Sequence, residues 1–256
     1  MTLDLIPVLF LFGITALTVL LYGVRVLKKG QAHFDRVDQQ GDSFLLSKGL
    51  MEIGYWFFQP FAHFFVMCHV SANQISWCSL VFSFFAGTCL AFGHFGFAAG
   101  LAALSGMMDS LDGMVARMTG VSSDAGEILD AAVDRYAEFF FLGGLVLYYR
   151  EFPVFLVLTL LALVGSFMVS YSTAKAEALG LTPCKCSMRR PERAFYLTLG
   201  AALSPFTIVW FETNRDYSIA VAHPMVIALG LVAVLSNFSA IDRLFALAKS
   251  SQTGSI

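Results

Sequence analysis

Seven stretches of this chain are long and apolar enough to cross a bilayer as helices: about 5–27, 74–94, 96–117, 128–149, 153–175, 194–211 and 218–241. Roughly 20 apolar residues are needed for one crossing. Composition points the same way. Of 256 residues, 57% are hydrophobic, 13% are charged and 26 are Phe. Soluble domains average about 45–50% apolar and about 25% charged residues. The expected fold is therefore all-α, a polytopic membrane helical bundle. Disorder is excluded, and the composition argues against an ordinary cytosolic enzyme. A net charge of −2 gives no bulk attraction to nucleic acid, so none is expected as a partner.

The first apolar run, Leu5 to Val26, is too long for the core of a signal peptide. Its charges follow the run, and no small-residue cleavage site is evident, so it reads as a retained span. Between the first two spans, Phe44 to Met67 is apolar but interrupted by Lys48, Glu52 and Pro60. Tyr55, Trp56 and the surrounding Phe suggest an amphipathic helix in the membrane interface, with a short eighth span or hairpin as the alternative. With the N-terminus outside, 14 of the 16 Lys and Arg fall on the cytoplasmic side and only Arg150 and Arg215 outside. Trp77 and Trp210 fall at span ends, as an aromatic belt requires. Cysteines 68, 78 and 89 lie in apolar runs. Cys184-Lys185-Cys186 is too tight for a zinc site, and the five His form no ligand spacing.

Against this apolar background, residues 109–138 hold seven of the 18 acidic residues: Asp109, Asp112, Asp124, Glu127, Asp130, Asp134 and Glu138. Only Arg117 and Arg135 oppose them. A carboxylate near the centre of a membrane helix costs at least about 2.5 kcal/mol, so this density calls for counter-ions. Asp109 and Asp112 are spaced i, i+3, and Asp130 and Asp134 are spaced i, i+4, so each pair lines one helix face. Two facing helices joined by a turn at Thr119-Gly120 and Ser122-Ser123 bring four carboxylates together. That is enough oxygen to bridge two divalent cations. Gly113 and Ala116 share the face of the first pair, and Gly126 sits one turn before Asp130, leaving room for a bulky ligand. Arg117 suits phosphate oxygens. Two metals, an arginine and small residues suit a diphosphate.

The run Asp109-Ser-Leu-Asp112-Gly113-Met-Val-Ala116-Arg117, eight residues, then Gly126-Glu-Ile-Leu-Asp130-Ala-Ala-Val-Asp134 resembles the signature of the CDP-alcohol phosphotransferases (CDP-alcohol phosphatidyltransferases). Every fixed position matches. Weaker similarity extends from about Ser71 to Asp242. The resemblance implies six helices around a cytoplasm-facing polar cavity, a homodimer, and displacement of CMP from a CDP-linked donor by an alcohol. It implies that Asp109, Asp112, Asp130 and Asp134 hold two ions, Mg²⁺ or Mn²⁺, and that Asp134 is also the general base. It implies CDP contacts from Gly113, Ala116, Arg117, Gly126 and Ser123. Asn73 matches the Asn of the family's Pro-Asn element, with Ala72 in place of Pro; a helix cap is the other role open to Asn73.

The expected division is an N-terminal transmembrane helix (1–28), a cytoplasmic linker with the interfacial helix (29–70), a six-helix catalytic domain (71–245) and a cytoplasmic tail (246–256). The extra first span is assigned anchoring or packing. Gly96-x-x-x-Gly100 either packs helices or ends a tight turn.

The basic loop after the fifth span looks like the phosphatidylinositol-phosphate synthase branch. It reads Ser170-Tyr171-Ser172-Thr173-Ala174-Lys175-Ala176-Glu177, then Arg189-Arg190-Pro191-Glu192-Arg193. Lys175, Arg189, Arg190 and Arg193 become candidates to cup an anionic acceptor. Thr173 departs from the branch, which often has a base there. The reading is a metal-dependent phospholipid synthase in a bacterial or archaeal cytoplasmic membrane. It joins CDP-diacylglycerol to a polar alcohol, preferably an inositol phosphate, and glycerol 3-phosphate is the next choice. The alternatives are transfer from a soluble CDP-alcohol to diacylglycerol or another lipid alcohol, and a transporter using intramembrane carboxylates.

Overall fold

The computed structural model describes residues 2–32, 34, 48–121, 123–181, 188–214 and 222–253. Arg36, Cys184, Lys185, Cys186 and Arg215 lie outside the described residues. The described residues form eight helices and no strand: α1 (Thr2–Lys29), α2 (Lys48–Met67), α3 (Ala72–Ala91), α4 (Phe95–Thr119), α5 (Asp124–Tyr148), α6 (Pro153–Ala178), α7 (Arg190–Asn214) and α8 (His223–Thr253). Four are long and apolar enough to cross a membrane: α1, α3, α6 and α8. The protein is an all-α membrane helical bundle. Helices α4 and α5 are 25 residues each, but their acids lower the mean hydropathy. Hydropathy also placed the start of α5 at 128. The helix begins earlier, because Ser123 caps it and its first turn is polar.

The caps explain where several helices start and stop. Ser71 closes a capping box with Gln74: Gln74 N–H donates to Ser71 Oγ at 3.3 Å, and Ser71 N–H to Gln74 Oε1 at 2.9 Å. The cap of α3 is therefore Ser71, and Asn73 is left with its side chain uncommitted to that task. Helix α4 ends at Gly120, whose φ of 69° is the left-handed conformation that glycine adopts without strain. Pro153 opens α6, where a missing N–H costs nothing. Pro60 lies within α2, which stays one helix from Lys48 to Met67.

Helix α3 packs chiefly on α4 and α5, and α6 chiefly on α8; α7 bridges α8 and α4, and α5 touches α6. The α3–α5 crossing is backbone to backbone. A Cβ on Gly87 would lie 2.1 Å from Phe140 O, and one on Gly144 2.1 Å from Gly87 O. Small residues permit this approach in a bilayer, where helices associate by packing and hydrogen bonding. Between α3 and α4, buried hydroxyls supply the bonding: Ser105 Oγ lies 3.0 Å from Ser79 Oγ and 2.7 Å from Ser83 Oγ.

The first helix docks on the end of α4 remote from its acids. A Cβ on Gly96 would overlap the carbonyl oxygen of Asp4, and one on Gly100 would lie 3.4 Å from Pro7 Cβ. Gly96-x-x-x-Gly100 is thus a helix-packing surface, and its partner is the extra helix. Helix α2 lies over the other half of α4, where Tyr55, Phe58, Phe65 and Val66 pack around Ala62, Leu111, Met114 and Val115. It covers the stretch of α4 that carries the acids.

Candidate active site

Helix α4 presents Asp109 and Asp112, and α5 presents Asp130. One carboxylate oxygen from each can be chosen so that all three lie within 4.8 Å of one another. Asp112 is buried, and Ser76 Oγ on α3 donates to its Oδ2 at 2.5 Å. Three carboxylates this close and this poorly solvated repel one another unless a cation joins them. An all-oxygen, anionic donor set suits a hard divalent ion such as Mg²⁺ or Mn²⁺. The chain's own residues therefore fit a metal site.

The fourth acid, Asp134, stands one turn along α5 and is held differently. Arg190, at the first turn of α7, places Nη1 2.5 Å from Asp134 Oδ1 and 3.0 Å from Asp109 Oδ1. It also reaches Asp109 Oδ2 at 3.1 Å. One guanidinium thus ties the two acid-bearing helices together.

Two cavities meet at this cluster. The first, about 610 Å³, is formed by the start of α3, the end of α4 and the start of α5. Its lining includes Asn73, Gly113, Ala116, Arg117, Ser123 and Gly126, with Asp112 and Asp130 at its acidic side. Arg117 folds over Gly113, where a Cβ would meet Nη1 at 3.1 Å. A Cβ on Gly126 would stand 3.4 Å from Ser123 Oγ and 3.8 Å from Asn73 Oδ1. The hairpin turn and its small residues thus keep the space open. Ser123 also accepts from Gly126 N–H at 3.2 Å, so it caps α5 while it lines the cavity.

The second cavity, about 370 Å³, is lined by Asp134, Arg135, Glu138, Val169, Ser170, Thr173, Arg189, Arg190, Arg193 and Arg243. Arg193 is fully buried. Its Nε and Nη2 bond Glu138 at 2.7 and 3.0 Å, and Nη1 donates to Met188 O at 2.8 Å. Its donors hold the wall together. Lys175 is exposed on α6 and is not among the lining residues. Sequence reasoning did not single out Arg243 or Arg135 for this site. Arg243 Nη1 donates to Thr173 Oγ1 at 2.9 Å, so α8 supplies a base beside the position where α6 has a threonine. A basic residue just past the last apolar stretch was the only available signal, and it reads equally as a cytoplasmic flank.

The fold and these acids together define a membrane-embedded bundle with a carboxylate site for divalent cations between two polar cavities. The family profile described as CDP-alcohol phosphatidyltransferase matches residues 69–236. The chain belongs to the CDP-alcohol phosphatidyltransferase family. It is 34% identical over 146 residues to the phosphatidylinositol phosphate synthase of Mycobacteroides abscessus, covering 55% of this chain and 66% of that one. The match thus spans just under two thirds of that relative's length. It is 30% identical over 199 residues to the same-named protein of Corynebacterium glutamicum, covering 75% of this chain and 84% of that one. The crystal structure of Mycobacterium tuberculosis phosphatidylinositol phosphate synthase with CDP-DAG bound is similar at a TM-score of 0.63 and 25% identity, covering 73% of this chain and 92% of that one. The same M. tuberculosis protein has been solved in complex with manganese and citrate, again with a TM-score of 0.63.

Proposed function

We propose that this protein is a metal-dependent phospholipid synthase. It transfers the phosphatidyl group of CDP-diacylglycerol to the hydroxyl of a polar alcohol, preferably an inositol phosphate, and releases CMP. The observation that carries this reading is the position of the acid cluster between two polar cavities of different chemistry. Asp130 faces the first, and Asp134 faces the second. A donor diphosphate lies against Arg117, Gly113 and Gly126, with Asn73 and Ser123 nearby. A phosphorylated acceptor lies among Arg189, Arg190 and Arg243, in a wall that Arg193 and Glu138 keep rigid.

Asp109, Asp112, Asp130 and Asp134 would hold the divalent ions, which, when bound, would neutralise the diphosphate and polarise its phosphorus. The acceptor oxygen attacks the phosphorus that bears diacylglycerol, the bond to the CMP oxygen breaks, and Asp134 takes the hydroxyl proton. Arg190 is the residue that must change partners. Its guanidinium neutralises Asp109 and Asp134 in this structure, and an acceptor phosphate at the second cavity competes for the same donors.

The reading includes seven spans, a six-helix catalytic domain over 71–245 with the flanking segments set out above, a site open to the cytoplasm, a bacterial or archaeal cytoplasmic membrane, and a homodimer. The test is CMP release by the purified protein with Mn²⁺, CDP-diacylglycerol and separate alcohol phosphates, with the lipid product identified by mass spectrometry. Phosphatidylinositol phosphate is the expected product. A product made only from glycerol 3-phosphate moves the acceptor assignment. A product formed only from a soluble CDP-alcohol and diacylglycerol reverses the lipid's role. No CMP release under any pairing overturns the reading.

A further inference from the structure

Helices α1 and α2 precede the residues that the family profile matches, and a trough of about 610 Å³ runs between them. Its apolar walls are Ile14, Leu17 and Leu21 on α1 and Trp56, Phe57 and Phe61 on α2. Two of the polar groups among them are satisfied within their own helices. Thr18 Oγ1 donates to Ile14 O at 2.8 Å, and His63 Nδ1 lies 2.9 Å from Gln59 O. Among the described residues nothing covers the trough: Leu17 is 54% exposed and Leu21 50%.

The lining positions of α1 follow the helical repeat, and that stripe continues through Val24 and Arg25 to Lys28. Where apolar gives way to basic, Tyr22 and Trp56 meet edge to face with ring centres 5.5 Å apart. The Arg25 guanidinium lies 5.9 Å above the Tyr22 ring. Against Arg25, Lys28 and Lys29, α2 contributes a single acid, Glu52. An apolar trough, an aromatic pair at its rim and cations beyond follow the depth profile of a bilayer leaflet.

We propose that this trough seats an anionic glycerophospholipid of the surrounding bilayer. One acyl chain lies between Ile14–Leu21 and Trp56–Phe61, and the phosphate lies at Arg25 and Lys28. Charge decides against a second copy of the chain as the occupant. A copy in the same membrane orientation brings its own α1 bases to the same depth, where they repel. The seat is separate from the acid cluster, and it does not depend on which alcohol the protein uses.

The test uses the intact chain in nanodiscs of equal parts phosphatidylcholine and phosphatidylglycerol, with a photoactivatable acyl chain placed on one lipid at a time. Adducts at residues 14–21 and 56–63 are expected to favour phosphatidylglycerol by roughly fivefold or more, about the effect of one basic residue near an anionic surface. Arg25→Gln with Lys28→Gln is expected to bring the two lipids to parity. Leu17→Trp, which fills the trough, is expected to remove the adducts while the thermal midpoint stays in place. Equal labelling by both lipids in the unaltered protein overturns the proposal. So does labelling no denser than at Phe84 and Phe85 on the exposed face of α3, or disulfide formation between copies through Leu17→Cys.

Discussion

The two cavities that meet at the acid cluster are built on opposite plans. The first is made by small residues. Gly113, Ala116 and Gly126 leave the space, and Arg117 folds back along its own helix over Gly113. The second is made chiefly by large charged residues from α5, from α7 and the residue before it, and from α8, with α6 adding Val169, Ser170 and Thr173, and part of that charge is spent on the wall itself. Arg193 is bound on both edges by Glu138 and Met188 O, and Arg243 donates to Thr173. A cleft of small residues is shaped to admit a bulky, flexible ligand. A cage of braced arginines is shaped to recognise a compact anion. In the proposed function this difference matches the donor to the first cavity and the acceptor to the second, and the match can be broken at several points.

The strongest test is at the shared boundary. Asp134→Ala removes the acid that faces the second cavity, and Asp130→Ala removes one that faces the first. Each is expected to lower metal-dependent CMP release by about 10³-fold, within the range of a lost general base or a lost ligand. A variant that keeps more than a tenth of the parent rate would detach its cavity from the chemistry.

The next largest effect is on stability. Arg193→Ala leaves Glu138 buried without its partner, and breaking one member of a buried pair costs about 3–5 kcal/mol. Thermal melting of the detergent-solubilised protein should show a much lower midpoint. A folded variant whose only defect is a weaker acceptor KM would mean that Arg193 contacts substrate directly.

The third test separates the cavities. Arg190→Gln is expected to raise the acceptor KM by about 10- to 100-fold, the usual size of a charge-assisted hydrogen bond lost. It should also tighten Mn²⁺ binding, measured by calorimetry, because Asp109 and Asp134 lose an internal cation. Gly126→Val projects methyls into the first cavity beside Ser123 and Asn73. It should raise the donor KM by about tenfold with little effect on the acceptor. If both variants moved both constants equally, the two cavities would be one site.

The same contrast explains what could be read without coordinates. Most of the first cavity is one hairpin, with the start of α3 closing it, so the positions of Asp112, Gly113, Arg117, Gly126 and Asp130 along two helices already imply which of those side chains face each other. The second joins residues from Asp134 to Arg243, and only the packing of α6 on α8 sets Thr173 beside Arg243. Helical periodicity carries no information about that pairing. The cap role open to Asn73 is likewise decided by its neighbours, because Ser71 and Gln74 supply the α3 cap; its contact with the donor remains part of the proposed function.

The smallest predicted effect is at Lys175. By charge and by resemblance it belongs with the acceptor bases, yet it is exposed on α6, while Val169, Ser170 and Thr173 line the cavity from the same helix. A solvated lysine outside the cavity loses little Coulomb energy on removal, and surface substitutions of this kind usually stay within about 0.5 kcal/mol. Lys175→Ala should therefore change the acceptor KM by no more than about twofold, while Arg190→Gln in the same assay changes it by tenfold or more. A loss at Lys175 as large as that at Arg190 would mean that the α6 end swings inward when the acceptor binds. The second cavity would then be a surface that closes on its ligand, and its contrast with the open first cavity would hold only for the unliganded protein.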